Sequence, residues 1–152
     1  MTERSCVHAT FTIEKVYDAR PARVFKAFAD PAEKDKWFGG PREWTREERS
    51  MDFREGGREV SVGGPPGQPM HGFWAHYHNI VRDERIVYAY DMKIGQTPIS
   101  VSLAIIALKA EGSKTRLTVT EHGVFLDGYD DASRREHGTN WLLDKLGETL
   151  NG

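Results

Sequence analysis

From residue 8 to residue 17 the chain reads HATFTIEKVY, and its alternation of apolar and polar positions predicts a first strand. Phe11 and Ile13, with Lys15, share one face; Thr12, Glu14 and Val16 share the other. The period then changes. Arg20-Pro21 starts a short helix with proline at its first position, and Val24, Phe25 and Phe28 form its apolar stripe. Asp30-Pro31-Ala32-Glu33 starts a second, in which Asp30 caps the first turn. It ends within a turn or two, before Trp37-Phe38-Gly39-Gly40-Pro41. Trp37 and Phe38 read equally well as a lid over the core and as the mouth of a pocket.

From Trp44 onward, short β-favouring runs are separated by turn signals. Strands are predicted over Trp44–Phe53, Arg58–Val62, Met70–Val81, Arg85–Lys93, Ile99–Lys109 and Lys114–His122. Gly56-Gly57 marks a hairpin turn, and Gly63-Gly64-Pro65-Pro66-Gly67 a loop. Within Met70–Val81, Phe73, Ala75 and Tyr77 share one parity while Trp74, His76 and His78 share the other. Both sides carry large side chains, so neither is assigned to solvent by pattern alone. The last stretch, Asp130–Asn151, has helical spacing: Gly138, Leu142, Leu146 and Leu150 recur every four residues, with Thr139 and Leu143 beside them. Arg134, Arg135, Glu136, Lys145 and Glu148 fall mostly off that stripe, and Asp130 and Asp131 suit the first turn. Full burial of each leucine contributes roughly 1.5–3 kcal/mol, so this helix needs a large partner surface.

The order of elements is α+β. It predicts a curved antiparallel β-sheet wrapped around the long C-terminal α-helix, with two short helices after the first strand. A twisted sheet meets a helix closely along one line and leaves space elsewhere, where a small ligand can enter. The length of 152 residues suits one domain spanning 1–152. The net charge of −2 gives no electrostatic footprint for nucleic acid. No apolar run is long enough to span a membrane. With no signal peptide evident and Cys6 as the single cysteine, a cytoplasmic location is expected. A homodimer is compatible with the sequence.

Five stretches, in order, resemble one family. YDARPARVFKAFADPAEKDKWFG is similar to its first-strand end, first helix and DP…WFG turn, and MDFREGG to a strand ending in a Gly-Gly turn. NIVRDERIVYAYDM resembles its strand-turn-strand element, TRLTVTEHG its last strand, and HGTNWLLDKLGETL its C-terminal helix. The chain is thus identified as a member of the START-like (SRPBCC) superfamily, which includes the birch-pollen allergen and polyketide cyclase relatives. Within it, the sequence resembles the branch of homologues of the activator of heat-shock protein 90 ATPase. The resemblance implies a helix-grip fold and a tendency to form ligand cavities. Two positions depart from the family pattern. Thr139 stands where the helix often carries Trp, and Trp141 lies two residues on, about 200° around the helix. Asn79 replaces an acidic residue, so no charge-based role is carried to it.

The candidate chemistry is modest. Trp37, Phe38, Phe53, Trp74, Tyr88, Tyr90 and Trp141 offer aromatic surface for a ligand, although ordinary core is the more natural use of any one of them. His76 and His78 project together from one strand face, but a zinc site needs a third ligand. No spacing ties Glu121, His122, His71 or Asp91 to them, so no metal is expected. Glu121 shares the parity of Leu117 and Val119. Turned inward it would be a desolvated carboxyl; its place near the predicted strand end favours a solvated rim instead. Arg42, Arg46, Arg49, Arg54 and Arg58 alternate with glutamates and read as a solvated strand face. No nucleophile motif or phosphate loop is present, and no cofactor is expected.

These readings favour a domain that binds a small hydrophobic or aromatic molecule between the C-terminal helix and the sheet. A cyclase- or hydrolase-like enzyme built on Glu121, His76, His78 and Tyr88 is the alternative, and it requires those four groups to share a face. A co-chaperone-like role ranks lower, because the chain leaves no room for an added chaperone-binding domain.

Overall fold

The computed structural model describes residues 4–151; Met1, Thr2, Glu3 and Gly152 of the domain expected over 1–152 lie outside the described residues. The chain runs β1 (Cys6–Tyr17), α1 (Pro21–Ala29), α2 (Pro31–Lys34), β2 (Thr45–Met51), β3 (Arg58–Gly64) and β4 (His71–Val81). It continues through β5 (Arg85–Ile94), β6 (Thr97–Glu111) and β7 (Lys114–Leu126) to α3 (Ala132–Asn151). The strands form one curved antiparallel sheet in the order β1-β7-β6-β5-β4-β3-β2. Every neighbour except β1–β7 is also a neighbour in sequence, as tight turns require. The α+β order read from the sequence is the order observed.

The helices cover one face of the sheet. Phe11, Ile13, Ile106, Leu117 and Val119 from the strands meet Val24 and Phe28 of α1 and Leu143 and Leu146 of α3 in one core. Helix α1 begins at Pro21, whose missing N–H costs nothing there. Helix α2 is a single turn, and the Asp30 carboxylate caps it by accepting from the Ala32 and Glu33 amides. The Asp131 carboxylate accepts from the Arg134 amide at the start of α3. Tyr17 fastens the helix to the first strand by donating its buried hydroxyl to the Leu143 carbonyl at 2.7 Å.

Three expectations change. Strand β7 runs on to Leu126 instead of stopping at His122, because β1 and β6 flank it and give each backbone group a partner. Gly123 is no break: a Cβ there would lie 3.0 Å from the Phe125 ring, so the absent side chain makes room for that ring. On α3 the buried positions are Arg135, Leu143 and Leu146, whereas Gly138 is exposed. Arg135 therefore belongs to the inward stripe, eight and eleven residues before the two leucines. Arg49 is no solvated strand residue either; it reaches a buried carboxylate described below.

Candidate functional site

Helix α3 does not fill the concave side of the sheet. A cleft of about 1300 Å³ opens between α3, the α2 turn and strands β2 to β7. Its inner wall is aromatic because β4 and β5 direct alternate residues inward. Phe73 lies 5.0 Å, ring to ring, from both Phe38 and Tyr90, and Tyr88 lies 5.8 Å from Tyr90. Trp37 backs the wall from the α2 side. Its indole N–H donates to the Ala27 carbonyl at 2.9 Å, and its ring lies 4.9 Å from Phe28. Trp37 and Phe38 thus serve both as core and as one edge of the opening.

A polar cluster crosses the cleft between the sheet and α3. Glu121 projects from β7 with only 4% of its surface exposed, which corrects the expectation of a solvated rim. Because the strand continues beyond it and is paired on both sides, its inward parity is maintained. The Tyr90 hydroxyl donates to Glu121 Oε1 at 2.5 Å. That hydroxyl in turn accepts from Arg135 Nη1 at 3.1 Å. Arg135 Nη2 donates to Ser100 Oγ at 2.7 Å and to Asp130 Oδ2 at 2.8 Å. The guanidinium also lies 5.4 Å from the Phe125 ring. Burial pushes the Glu121 carboxyl above its ordinary range, against the opposing pull of Tyr90 and Arg135. Burial likewise raises the Tyr90 hydroxyl, and the neighbouring Glu121 charge adds to the effect.

A second buried cluster supports the α2 side of the cleft. Glu59 on β3 accepts from Lys34 Nζ at 2.6 Å, from Arg49 Nη1 at 2.7 Å, and from the Tyr77 hydroxyl. Arg49 Nε also donates to Asp35 at 2.8 Å. Burial alone would raise the Glu59 carboxyl, but Lys34, Tyr77 and Arg49 together hold it below its ordinary range. The Lys34 ammonium sits 4.4 Å from the centre of the Phe38 ring. The cluster therefore ties the end of α2, just before Trp37 and Phe38, to the start of β3.

The sequence-derived candidates fall into three groups. Trp37, Phe38, Tyr88, Tyr90, Glu121 and Trp141 line the cleft. Trp141 does so at its outer edge, 42% exposed, with Lys145 Nζ 4.5 Å from its ring. Thr139, at the position where the family often carries Trp, also lines the cleft. Phe53 is packed into the core against Phe25 and Tyr77, outside the cleft. Trp74, His76 and His78 project to the opposite face of the sheet, because Phe73, Ala75 and Tyr77 occupy the inward positions of β4. The two histidine rings lie 4.5 Å apart there. Among the described residues, no group of three metal-ligating side chains is found. Asn79, beside a β-bulge, accepts from Arg85 Nε at 2.8 Å instead of taking part in the site.

The sequence reading missed Arg135, Phe73 and the Lys34–Glu59–Arg49 cluster. For Phe73 the parity shared with Ala75 and Tyr77 was visible, but which face the helix covers was not. Arg135 was signalled only by its spacing to Leu143 and Leu146. The ion cluster joins α2 to two strands and leaves no local pattern.

The family described as "Activator of Hsp90 ATPase homolog 1-like protein" matches residues 18–151. A putative uncharacterized protein from Rhizobium leguminosarum is 43% identical, with 99% of each chain covered and a TM-score of 0.93. Mll3558 from Rhizobium loti is 46% identical, with 95% of this chain and 99% of its own covered and a TM-score of 0.89. CalU16 from Micromonospora echinospora shares the fold at 22% identity, with 99% of this chain and 86% of its own covered and a TM-score of 0.62. A search of curated proteins returned no match.

Proposed function

The chain belongs to the Activator of Hsp90 ATPase homolog 1-like family, and from that premise we propose that its cleft binds a small apolar or aromatic molecule. The observation that carries this reading is the cleft itself: an aromatic wall of Phe38, Phe73, Tyr88 and Tyr90, with a buried polar cluster at one side. Aromatic walls give apolar contact and restrict how a flat ligand lies, while a few fixed polar groups select its orientation. Lining from α2, α3 and the sheet together means that a bound ligand would bridge all three.

A cyclase- or hydrolase-like reaction is less well supported. It needed Glu121, Tyr88, His76 and His78 on one face, and the two histidines project from the other. Without them, His71 is the histidine that lines the cleft among the described residues, on β4, three strands from the β7 that carries Glu121.

Binding to the folded state alone raises stability by RT ln(1 + [L]/Kd), about 2.7 kcal/mol at a hundredfold excess over Kd. For a domain of this size that corresponds to a rise in Tm of roughly 5–11 °C. A thermal-shift screen of small aromatic and lipid-like compounds tests the proposal. Tyr88→Trp, which places a larger ring in the cleft, should abolish the gain. A gain that survives this substitution undiminished would place the ligand elsewhere.

A further inference from the structure

The cleft wall holds two polar groups that the fold itself leaves unused. The Glu121 carboxyl gives Oε1 to Tyr90, and among the described residues no hydrogen bond reaches Oε2. The Tyr88 hydroxyl has no hydrogen-bond partner among the described residues either. Neither atom is among the sealed, unsatisfied polar atoms of the structure, and both residues line the cleft. Buried polar groups are normally satisfied, so two such groups facing one cavity point to a partner that enters from outside.

The sheet register brings them together. Tyr88 on β5 pairs with Ala104 on β6, and Ala104 pairs with Glu121 on β7. The three lie in one row across adjacent strands, so their side chains leave the same face of the sheet. Two strand spacings put the outer backbones about 10 Å apart. Between them stands only the methyl group of Ala104, which is fully buried. A larger residue there would separate the two polar tips; alanine leaves them open to the same space.

We propose that Tyr88 and Glu121 together form the recognition point for a hydroxyl group on the ligand, so that the cleft selects an apolar or aromatic alcohol or phenol. This rests on the ligand-binding reading of the cleft and specifies it. A hydroxyl has one donor and two acceptor sites, and a tyrosine hydroxyl has the same. If Glu121 is ionised, the ligand donates to Oε2 and accepts from Tyr88. If Glu121 is protonated, the ligand accepts from Oε2 and donates to Tyr88. The hydroxyl is satisfied either way. A carbonyl only accepts and fits one state; an ammonium only donates and fits the other. A carboxylate only accepts, like a carbonyl, and meets an ionised Glu121 as a like charge. At that point Asp130 already pairs with Arg135, and the other basic residues of the cleft lining, such as Arg42, Arg46 and Lys145, stand before β2, on β2 and on α3.

Three probes of one shape test the assignment: biphenyl, 4-phenylphenol and biphenyl-4-carboxylate, titrated against the full chain by calorimetry. The wild type should bind 4-phenylphenol about tenfold or more tighter than biphenyl, the scale of one hydrogen bond to a charged group. The carboxylate should bind weakest. Tyr88→Phe removes only the hydroxyl, and Glu121→Leu removes the carboxyl. Each should bring the phenol-to-hydrocarbon ratio close to one while biphenyl still binds. That ratio is internal to each variant, so a general loss of stability does not imitate the result. Equal affinities for phenol and hydrocarbon in the wild type would overturn the hydroxyl assignment and leave the cleft reading standing. Tightest binding of the carboxylate would overturn it too. Binding of none of the three would remove the cleft reading, and the assignment with it.

Discussion

The Glu59 carboxylate holds three donors in a place water does not reach, so removing it should be among the most damaging single changes in the chain. Its side chain is fully buried, with the Lys34 and Arg49 cations 2.6 and 2.7 Å away and the Tyr77 hydroxyl on the same oxygen as Lys34. Glu59→Ala leaves two cations facing each other across the vacated space. Breaking a buried pair by removing one partner typically costs about 3–5 kcal/mol, whereas replacing both partners with apolar side chains costs far less. Against a total stability of roughly 5–15 kcal/mol, the single substitution consumes a large share. At about 2–4 °C per kcal/mol for a domain of this length, Tm should fall by roughly 6–20 °C. Urea unfolding supplies the assay, with the change read from the midpoint at constant slope. The double variant Lys34→Met/Glu59→Leu should be markedly more stable than Glu59→Ala. A loss below about 1 kcal/mol would mean that water already screens the cluster, as it does an exposed pair. A double variant as unstable as the single one would likewise refute the charge argument. Because Lys34 ends α2 and its carbonyl accepts from the Trp37 and Phe38 amides, Glu59→Ala should also loosen the cleft wall and lower affinity for any cleft ligand.

Two further outcomes follow from the same geometry. Burial raises the Glu121 carboxyl, so the folded chain keeps its proton to a higher pH than the unfolded chain does. The stabilisation is complete below the unfolded value and lost as pH rises through the folded one. Glu121→Gln cannot ionise, and its stability relative to wild type should therefore climb as pH rises from about 4.3, the unfolded value, until the folded carboxyl has ionised; a difference that stays flat or falls in chemical unfolding over that rise would contradict the sign. Finally, His76→Ala/His78→Ala changes only the outer face of the sheet. It should leave ligand-induced thermal shifts unchanged, and a loss of those shifts would place the site on the wrong face.

Much of the architecture was legible because local patterns and long-range packing agree in it. The alternation of Phe11 and Ile13, the cap at Asp30 and the turn at Gly56-Gly57 each specify one local geometry, and the sheet assembles from neighbours in sequence. The membership of Tyr88 and Tyr90 on one parity was equally readable. The polar half of the cleft was not, for a different reason in each case. Arg135 carries a charge and was placed with the solvated residues, although its spacing to Leu143 and Leu146 puts it on the inward stripe. Glu121 was assigned to the rim because the predicted strand ended at His122, just before Gly123. Close packing of Phe125 over that glycine lets the strand continue and keeps the carboxyl inside. Arg49 alternates with glutamates as surface residues do, yet its partner Glu59 is sealed by Lys34 from a turn 25 residues earlier. Charge compensation across such distances has no local signature, and in this fold it is where the polar groups of the cleft are fixed.

The central claim is that ligands enter between α3 and the sheet, and methyl-resolved NMR tests it most directly. Titration with 4-phenylphenol should shift Ile106, Val119, Met92, Leu142 and Leu143, all of which line the cleft. Val101 and Leu103, exposed on the outer face of β6, should stay in place. Shifts concentrated at Val101 and Leu103, with the cleft methyls unmoved at saturation, would contradict the claim.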